Sequence, residues 1–316
     1  MREILFIKTS SLGDVIHHMP AVTDARKHLP DARFSWAVEE AFVPLARLHP
    51  AINEVIPVPF RRWRRNILRW TAWRDLNRFK QVLRAAPYDA IIDTQGLFRT
   101  GVIAKVANGK RHGYERGSVR ERFAAMFYDL RHVVPRDMHA ITRNRLLTGL
   151  ALGYEPEGEP DFGLDRAVLS GVTRTPYAIL LHATAQRSKE WPIERWQALA
   201  RTLEQDINLL VPYGSERERV RAELIAAKLK RTTVPIHRSL DDMARMIAGA
   251  SYVVGVDTGI LHLAAAIGVP LIGIFCGSKP QLTGPMGAGP IAVLGDDTRK
   301  PEVGEVLAAV RMTVPR

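Results

Sequence analysis

Short apolar runs and polar segments with helical spacing alternate along this chain in two successive series. Runs of about four to eight apolar residues bounded by turn formers read as buried strands, and apolar positions three and four apart read as helix faces. The first series predicts strands at Glu3–Ile7, Arg33–Val38, Glu54–Pro57, Ala90–Asp93 and Lys110–Gly113, with helical patterns between most of them. The periodicity breaks over Tyr154-Glu155-Pro156-Glu157-Gly158-Glu159-Pro160, and Thr173-Arg174-Thr175-Pro176 closes a polar link. Proline and glycine at this density interrupt both regular structures. A domain boundary is expected here, giving domains 1–165 and 166–316, with a last helix that could return to the first domain. The second series predicts strands at Tyr177–His182, Ile207–Pro212, Thr233–Pro235, Tyr252–Val256, Leu271–Phe275 and Ile291–Leu294. Strands and helices in alternation build parallel sheets with right-handed crossovers. The expected fold class is therefore α/β, with two Rossmann-like parallel-sheet domains.

Composition narrows the class of partner. The 316 residues suffice for two domains, and 46% hydrophobic with 25% charged residues is ordinary for a globular chain. Lys and Arg number 45 against 33 Asp and Glu, a net charge of +12, which favours an anionic partner: nucleic acid, a membrane surface or a phosphorylated substrate. The single cysteine, Cys276, has no partner for an internal disulfide, reads as a buried thiol at a strand end, and fits a reducing cytoplasm. Only four apolar residues, Ile4 to Ile7, precede Lys8, fewer than the roughly 7 to 15 of a signal-peptide core. No segment approaches the ~20 apolar residues of a spanning helix. Any membrane contact is expected to be peripheral.

The densest charge cluster runs from Arg61 to Arg84, with nine basic residues against Asp75 alone, while Trp63, Ile67, Trp70, Trp73 and Leu76 recur at helical spacing. A basic amphipathic helix bearing tryptophans suits anionic headgroups; the same tryptophans would equally serve a core. The opening Arg61-Arg62-Trp63-Arg64-Arg65 places four like charges in five residues, which repel unless an anion compensates them.

Three strand-to-helix junctions carry candidate chemistry. Lys8-Thr9-Ser10-Ser11-Leu12-Gly13-Asp14-Val15-Ile16-His17 follows the first strand and sets a carboxylate, Asp14, at its carboxyl end, where open α/β sheets place their sites. Asp14 there is either a catalytic group or a carboxylate that only complements the helix dipole. His182-Ala183-Thr184-Ala185-Gln186-Arg187-Ser188-Lys189-Glu190-Trp191-Pro192 joins a strand to a helix, and its hydroxyl, amides and Lys189 could hold a phosphate. Asp257-Thr258-Gly259-Ile260-Leu261-His262 follows a strand and opens a helix whose free amides face a ligand. Asp257 either caps that helix or serves the site, and His262 lies three residues past Gly259 on the same face. Clustered His and Cys spacing for a metal and Asp-x-Asp motifs are missing from the sequence, so no metal and no cofactor are expected.

These junctions, with Asp93-Thr94-Gln95-Gly96-Leu97 and Lys189-x-Trp191-Pro192, resemble the lipopolysaccharide heptosyltransferases of glycosyltransferase family 9 over essentially the whole chain. The Lys-Thr-Ser-Ser opening and Arg61-Arg62-Trp63 favour the heptosyltransferase I group over the heptosyltransferase II group. The resemblance implies a GT-B fold, two Rossmann-like domains facing across a cleft. It implies ADP-heptose as donor on the second domain and Kdo-lipid A as acceptor on the first, at the cytoplasmic face of the inner membrane. It further implies inverting, metal-independent transfer, with Asp14 as base and Lys189 stabilising the departing diphosphate. Thr184, Ala185, Lys189, Asp257, Thr258, Gly259 and His262 would hold the donor, Glu218 or Glu216 the ribose, and Arg238 the adenine. Ala185 departs from the family, which often has a second threonine there, and this leaves a backbone amide at that contact. Lys8, Ser10, Gly13, Arg61, Arg62, Arg64 and Arg120 are set against the acceptor. The contending class, a non-catalytic basic protein of the membrane surface or of RNA, leaves Asp14 without a role and lacks an aromatic RNA-binding signature; nucleic acid is not an expected partner.

Overall fold

The computed structural model describes the backbone of all residues except 67–69, 86, 172–174, 185, 237–238 and 315–316, and side chains except those and 64–66 and 70–73. The chain packs as two units, Met1–Gly163 and Leu164–Arg316. Along the first unit run β1 (Glu3–Ile7), α1 (Leu12–Ile16), α2 (Met19–His28), β2 (Arg33–Glu39), α3 (Val43–Ala46), β3 (Glu54–Val58), α4 (Phe60–Asn66) and α5 (Trp70–Arg84). After these come β4 (Tyr88–Asp93), α6 (Phe98–Val106), β5 (Gly109–Tyr114), a 3₁₀ turn (Arg122–Phe127), β6 (Leu130–His132) and α7 (Ala140–Leu152). The six strands form one parallel sheet in the order β3-β2-β1-β4-β5-β6.

In the second unit α8 (Arg166–Leu169) precedes β7 (Tyr177–Leu181), α9 (Ile193–Leu203), β8 (Asn208–Leu210), α10 (Glu216–Ala226), β9 (Thr232–Thr233) and α11 (Leu240–Gly249). Then follow β10 (Tyr252–Val256), α12 (Gly259–Ile267), β11 (Leu271–Ile274), α13 (Pro280–Thr283), β12 (Ile291–Leu294) and α14 (Val303–Thr313). Its parallel sheet is ordered β12-β11-β10-β7-β8-β9, the same winding as the first. The final helix α14 packs on α9, β11 and β12 within this unit.

Central strands of a sheet covered on both faces read as continuous apolar runs; Ile4 to Ile7 of β1 and Val253 to Val254 of β10 are fully buried. The edges obey other rules. β6 was not expected, because Leu130 and Arg131 are exposed and an edge strand needs no apolar run. β9 stops at Thr233, short of Pro235, whose nitrogen has no proton for the ladder. Trp63 enters the core of the first unit, where its ring meets Phe60 and Phe79 edge-on at 5.9 and 5.3 Å. Cys276 is buried in the core of the second, and burial pushes its thiol pKa up.

Reversal of winding fixes where each unit opens. In the first, the chain leaves β1 toward β2 and leaves β4 toward β5, so the crevice beyond the carboxyl ends of β1 and β4 is its switch point. In the second the equivalent crevice lies beyond β7 and β10.

Candidate active site

Asp14 sits in the first turn of α1, beyond β1. Its Oδ2 accepts from the Ser11 amide at 2.9 Å and the Ser11 hydroxyl at 3.3 Å, and stands 3.8 Å from Arg120 Nη1. The loop that carries it is held from β4. Gln95 Oε1 accepts from both Thr9 N and Ser10 N, at 3.1 and 3.2 Å, and Gln95 is itself buried. Asp93 shapes that turn, its Oδ1 accepting from Gln95 N and Gly96 N and its Oδ2 from Tyr128 at 2.7 Å. Burial raises the Asp93 pKa against the opposing hydrogen bonds from Tyr128, Thr100, Gly96 and Gln95. Gly96 takes a φ of +65°, with Val119 where a side chain would go, a conformation that glycine adopts without strain.

Ser10, Ser11, Asp14, Arg99 and Arg120 line one pocket of about 560 Å³. A neighbouring one of about 340 Å³ shares Ser10, Ser11 and Arg99 and adds Glu39 and Arg61. Arg99, to which the sequence assigned nothing, ties the two: its Nη2 donates to Ser10 Oγ at 2.7 Å and its guanidinium lies 5.0 Å over the Phe60 ring. An arginine in the first turn of an exposed helix face gives no sequence signal to distinguish it from a solvated one.

The other residues set against an acceptor separate. Gly13 lies in α1 beside Asp14, its carbonyl accepting from His17 N. Lys8 is buried under the loop, donating to Thr94 O at 2.9 Å and Asn144 Oδ1 at 3.3 Å. Burial lowers its pKa, opposed by the charges of Asp14 and Asp93. Arg61 pairs with Glu39 at 2.7 Å, and Arg62 with Glu40 at 3.0 Å and Asp75 at 3.4 Å. Protein carboxylates thus supply part of the compensating charge that the arginine run requires. The Arg64 side chain lies outside the described residues, as do Ala185 and Arg238.

In the second unit a web of bonds converges on Asp257. Lys189 Nζ donates to its Oδ2 at 2.6 Å, Ser278 Oγ donates to the same oxygen at 2.7 Å, and His262 Nε2 stands 3.6 Å from Oδ1. Burial alone would raise the Asp257 pKa. Hydrogen bonds from His262, Lys189 and Ser278, with the Lys189 charge, hold it well below the usual carboxylate range. The N-cap of α12 is Thr258, not Asp257, so Asp257 does not act as the helix cap. Thr184 Oγ1 donates to the Asp257 carbonyl at 2.9 Å, fastening the β7 loop to the β10 loop. Ser278, distant in sequence and in an irregular segment, gave no pattern to read.

Beside this web lies a pocket of about 320 Å³ whose wall includes His182, Thr184, Gly214, Glu218, Met243 and Thr258. Burial lowers the His182 pKa to about 4, so its ring is neutral near pH 7. Glu218 Oε2 accepts from Gly214 N at 2.7 Å within that wall. Glu216 is instead exposed and paired with Arg219. Among the described residues, no three His, Cys, Asp or Glu side chains gather as metal ligands.

Residues 76–309 match the family model for glycosyltransferase family 9 (heptosyltransferase). The chain is 42% identical over 301 residues to lipopolysaccharide heptosyltransferase 1 of Pseudomonas aeruginosa, covering 93% of this chain and 84% of that one. It superposes on the structure of Escherichia coli heptosyltransferase WaaC with ADP at a TM-score of 0.93, with 34% identity, covering 99% of this chain and 100% of that one. The structure of the same enzyme with ADP-2-deoxy-2-fluoro heptose gives a TM-score of 0.86, also at 34% identity and over 98% of each chain.

Proposed function

The chain belongs to glycosyltransferase family 9, and from that premise we propose that it transfers L-glycero-D-manno-heptose from ADP-heptose to the Kdo of Kdo-lipid A, with inversion and without a metal ion. It is a heptosyltransferase of lipopolysaccharide core biosynthesis. The observation that carries the finer reading is Asp14, a partly exposed carboxylate at the switch point, with Arg120 and Arg99 in the same pocket wall.

Asp14 takes the proton of the acceptor hydroxyl as that oxygen attacks the anomeric carbon. Ser11 and Arg120 engage its Oδ2, so Oδ1 is the oxygen that accepts. The bond from the anomeric carbon to the diphosphate oxygen breaks, and ADP leaves with the electron pair. Lys189 and the amides at the start of α12, at Thr258 and Gly259, meet that charge. Thr184 joins them by exchanging its bond to the Asp257 carbonyl. Asp257 and His262 orient Lys189, and Glu218 accepts from the ribose hydroxyls. Ala185 contributes a backbone amide and Arg238 a contact to adenine, both at positions outside the described residues. Lys8 acts from beneath, through its charge, while Ser10, Gly13, Arg61, Arg62, Arg64 and Arg120 form the surface for the acidic acceptor.

ADP release from a mixture of purified protein, ADP-heptose and Kdo-lipid A tests this directly. The rate is expected to persist in excess chelator, because Lys189 and helix amides supply the positive charge. Strict dependence on added Mg²⁺ would overturn that part. Serine at Arg61, Arg62 and Arg64 together should raise the acceptor KM about tenfold and flatten its salt dependence, since screened contacts to anions are lost. The donor KM should stay fixed; an unchanged acceptor KM would remove the arginines from the acceptor surface. Among the described residues no helix is long and apolar enough to cross a membrane, and the proposed placement is peripheral, at the cytoplasmic face of the inner membrane.

A further inference from the structure

Two buried side-chain amides flank the loop that carries Asp14. Asn144 is used at both ends: its Oδ1 accepts from Lys8 Nζ at 3.3 Å and its Nδ2 donates to His17 O at 2.9 Å. Gln95 is used at one end. Its Oε1 accepts from Thr9 N at 3.1 Å and from Ser10 N at 3.2 Å. Both partners are donors, so the atom that faces them must be the oxygen, and turning the amide over would set N–H against N–H. Among the described residues the other end, Nε2, donates to no acceptor.

Gln95 is only 3% exposed, yet it lines the pocket of Ser10, Ser11, Asp14, Arg99 and Arg120. Nε2 is not sealed inside the protein, so it opens on that pocket. Its direction is set in advance, because Asp93 Oδ1 accepts from Gln95 N at 2.9 Å while the loop amides hold Oε1. A buried amide with an unused donor is costly unless a ligand or solvent completes it. The other donors of the pocket have different uses. Ser11 Oγ donates to Asp14 Oδ2 at 3.3 Å, and Arg99 Nη2 to Ser10 Oγ at 2.7 Å. The charges of Arg99 and Arg120 suit a carboxylate or phosphate. A neutral N–H fixed beside them suits a neutral oxygen.

We propose that Gln95 is a specificity-determining residue for the acceptor: Nε2 donates to a hydroxyl oxygen next to the hydroxyl whose proton Asp14 takes, while Oε1 holds the loop of the base. The proposal rests on the acceptor reading given above. One amide then sets the base and reads the sugar at the same time. An acceptor with hydrogen in place of that neighbouring hydroxyl takes solvent away from Nε2 and returns no bond. A site built to hydrogen-bond a hydroxyl rejects such an analogue.

Steady-state transfer from ADP-heptose to Kdo-lipid A, and to analogues in which one hydroxyl flanking the reacting one is replaced by hydrogen, tests this in the wild type, Q95M and Q95E. The wild type should lose about tenfold or more in kcat/KM on one analogue. Q95M, with similar length and neither polar end, should use that analogue and the parent alike, while its kcat falls on both because the loop is freed. Q95E keeps an oxygen for Thr9 N and Ser10 N and sets a second oxygen where the N–H was. Its donor KM and thermal midpoint should stay at the wild-type values, and its acceptor KM should rise about tenfold. A glutamine that only held the loop would give Q95E the wild-type acceptor KM and would leave Q95M as selective as the wild type. Either result overturns the proposal, as does a wild type indifferent to every analogue. If Q95M does not fold, the Q95E acceptor KM and the wild-type selectivity decide. Wild-type transfer to the parent keeps the Kdo-lipid A reading whichever way Gln95 falls; its absence overturns both.

Discussion

Asp14→Asn lowers kcat by about 10²-fold or more while ADP affinity stays at the wild-type value. Asparagine retains an oxygen that can accept from the Ser11 amide, the 2.9 Å bond that fixes the first turn of α1. The fold of the loop is therefore preserved and the basic oxygen alone is lost. A carboxylate that merely complemented the helix dipole would cost a fraction of a kcal/mol in stability, about 0.3 to 1, and leave turnover nearly unchanged. Steady-state rates with saturating donor and acceptor, read beside ADP titrations, separate the outcomes; near-wild-type turnover would remove Asp14 from the base role.

Lys189→Ala weakens ADP binding by about 1.5 to 3 kcal/mol, the worth of a charge-assisted bond to an anion. The structure gives a reason to expect the upper end. Lys189 is the cation held at 2.6 Å from Asp257, so its removal would both delete the proposed phosphate contact and expose a carboxylate to the diphosphate. A double-mutant cycle with Asp257→Asn resolves these effects. If Lys189 touches the diphosphate, ADP binding remains weak in K189A/D257N. Recovery to wild-type affinity in the double variant would mean that Lys189 serves only to neutralise Asp257.

How much of this was legible in the sequence differs by element. β1 and β10 were readable because both their faces are buried, so Ile4 to Ile7 and Tyr252 to Val256 form continuous runs without a charged residue. β6 was not, since Leu130 and Arg131 sit at an edge where water accepts any side chain. The junction loops were readable for a topological reason: a chain leaving a parallel strand must turn at its carboxyl end, where open α/β sheets place their sites. Partners across the fold were beyond reach. Nothing local marks Gln95 as the acceptor for Thr9 N and Ser10 N, or Ser278 as a donor to Asp257, because both contacts join segments many residues apart. Helical spacing left Trp63 undecided between lipid and core, and nothing local marks Lys8 as buried beneath the loop that follows it.

The central placement of β1, β4, β7 and β10 also bears on how the molecule breathes. Local opening starts where few contacts hold an element, at termini and short edge strands, and the innermost strands exchange their amide protons only near global unfolding. The loops that carry Asp14 and Asp257 spring from those innermost strands, while β6 with three residues and β9 with two lie at sheet edges. Fraying at such an edge therefore leaves closed the strands β1 and β10, from whose carboxyl ends the Asp14 and Asp257 loops spring, and the geometry of both loops persists through fluctuations that would already admit a protease to the periphery.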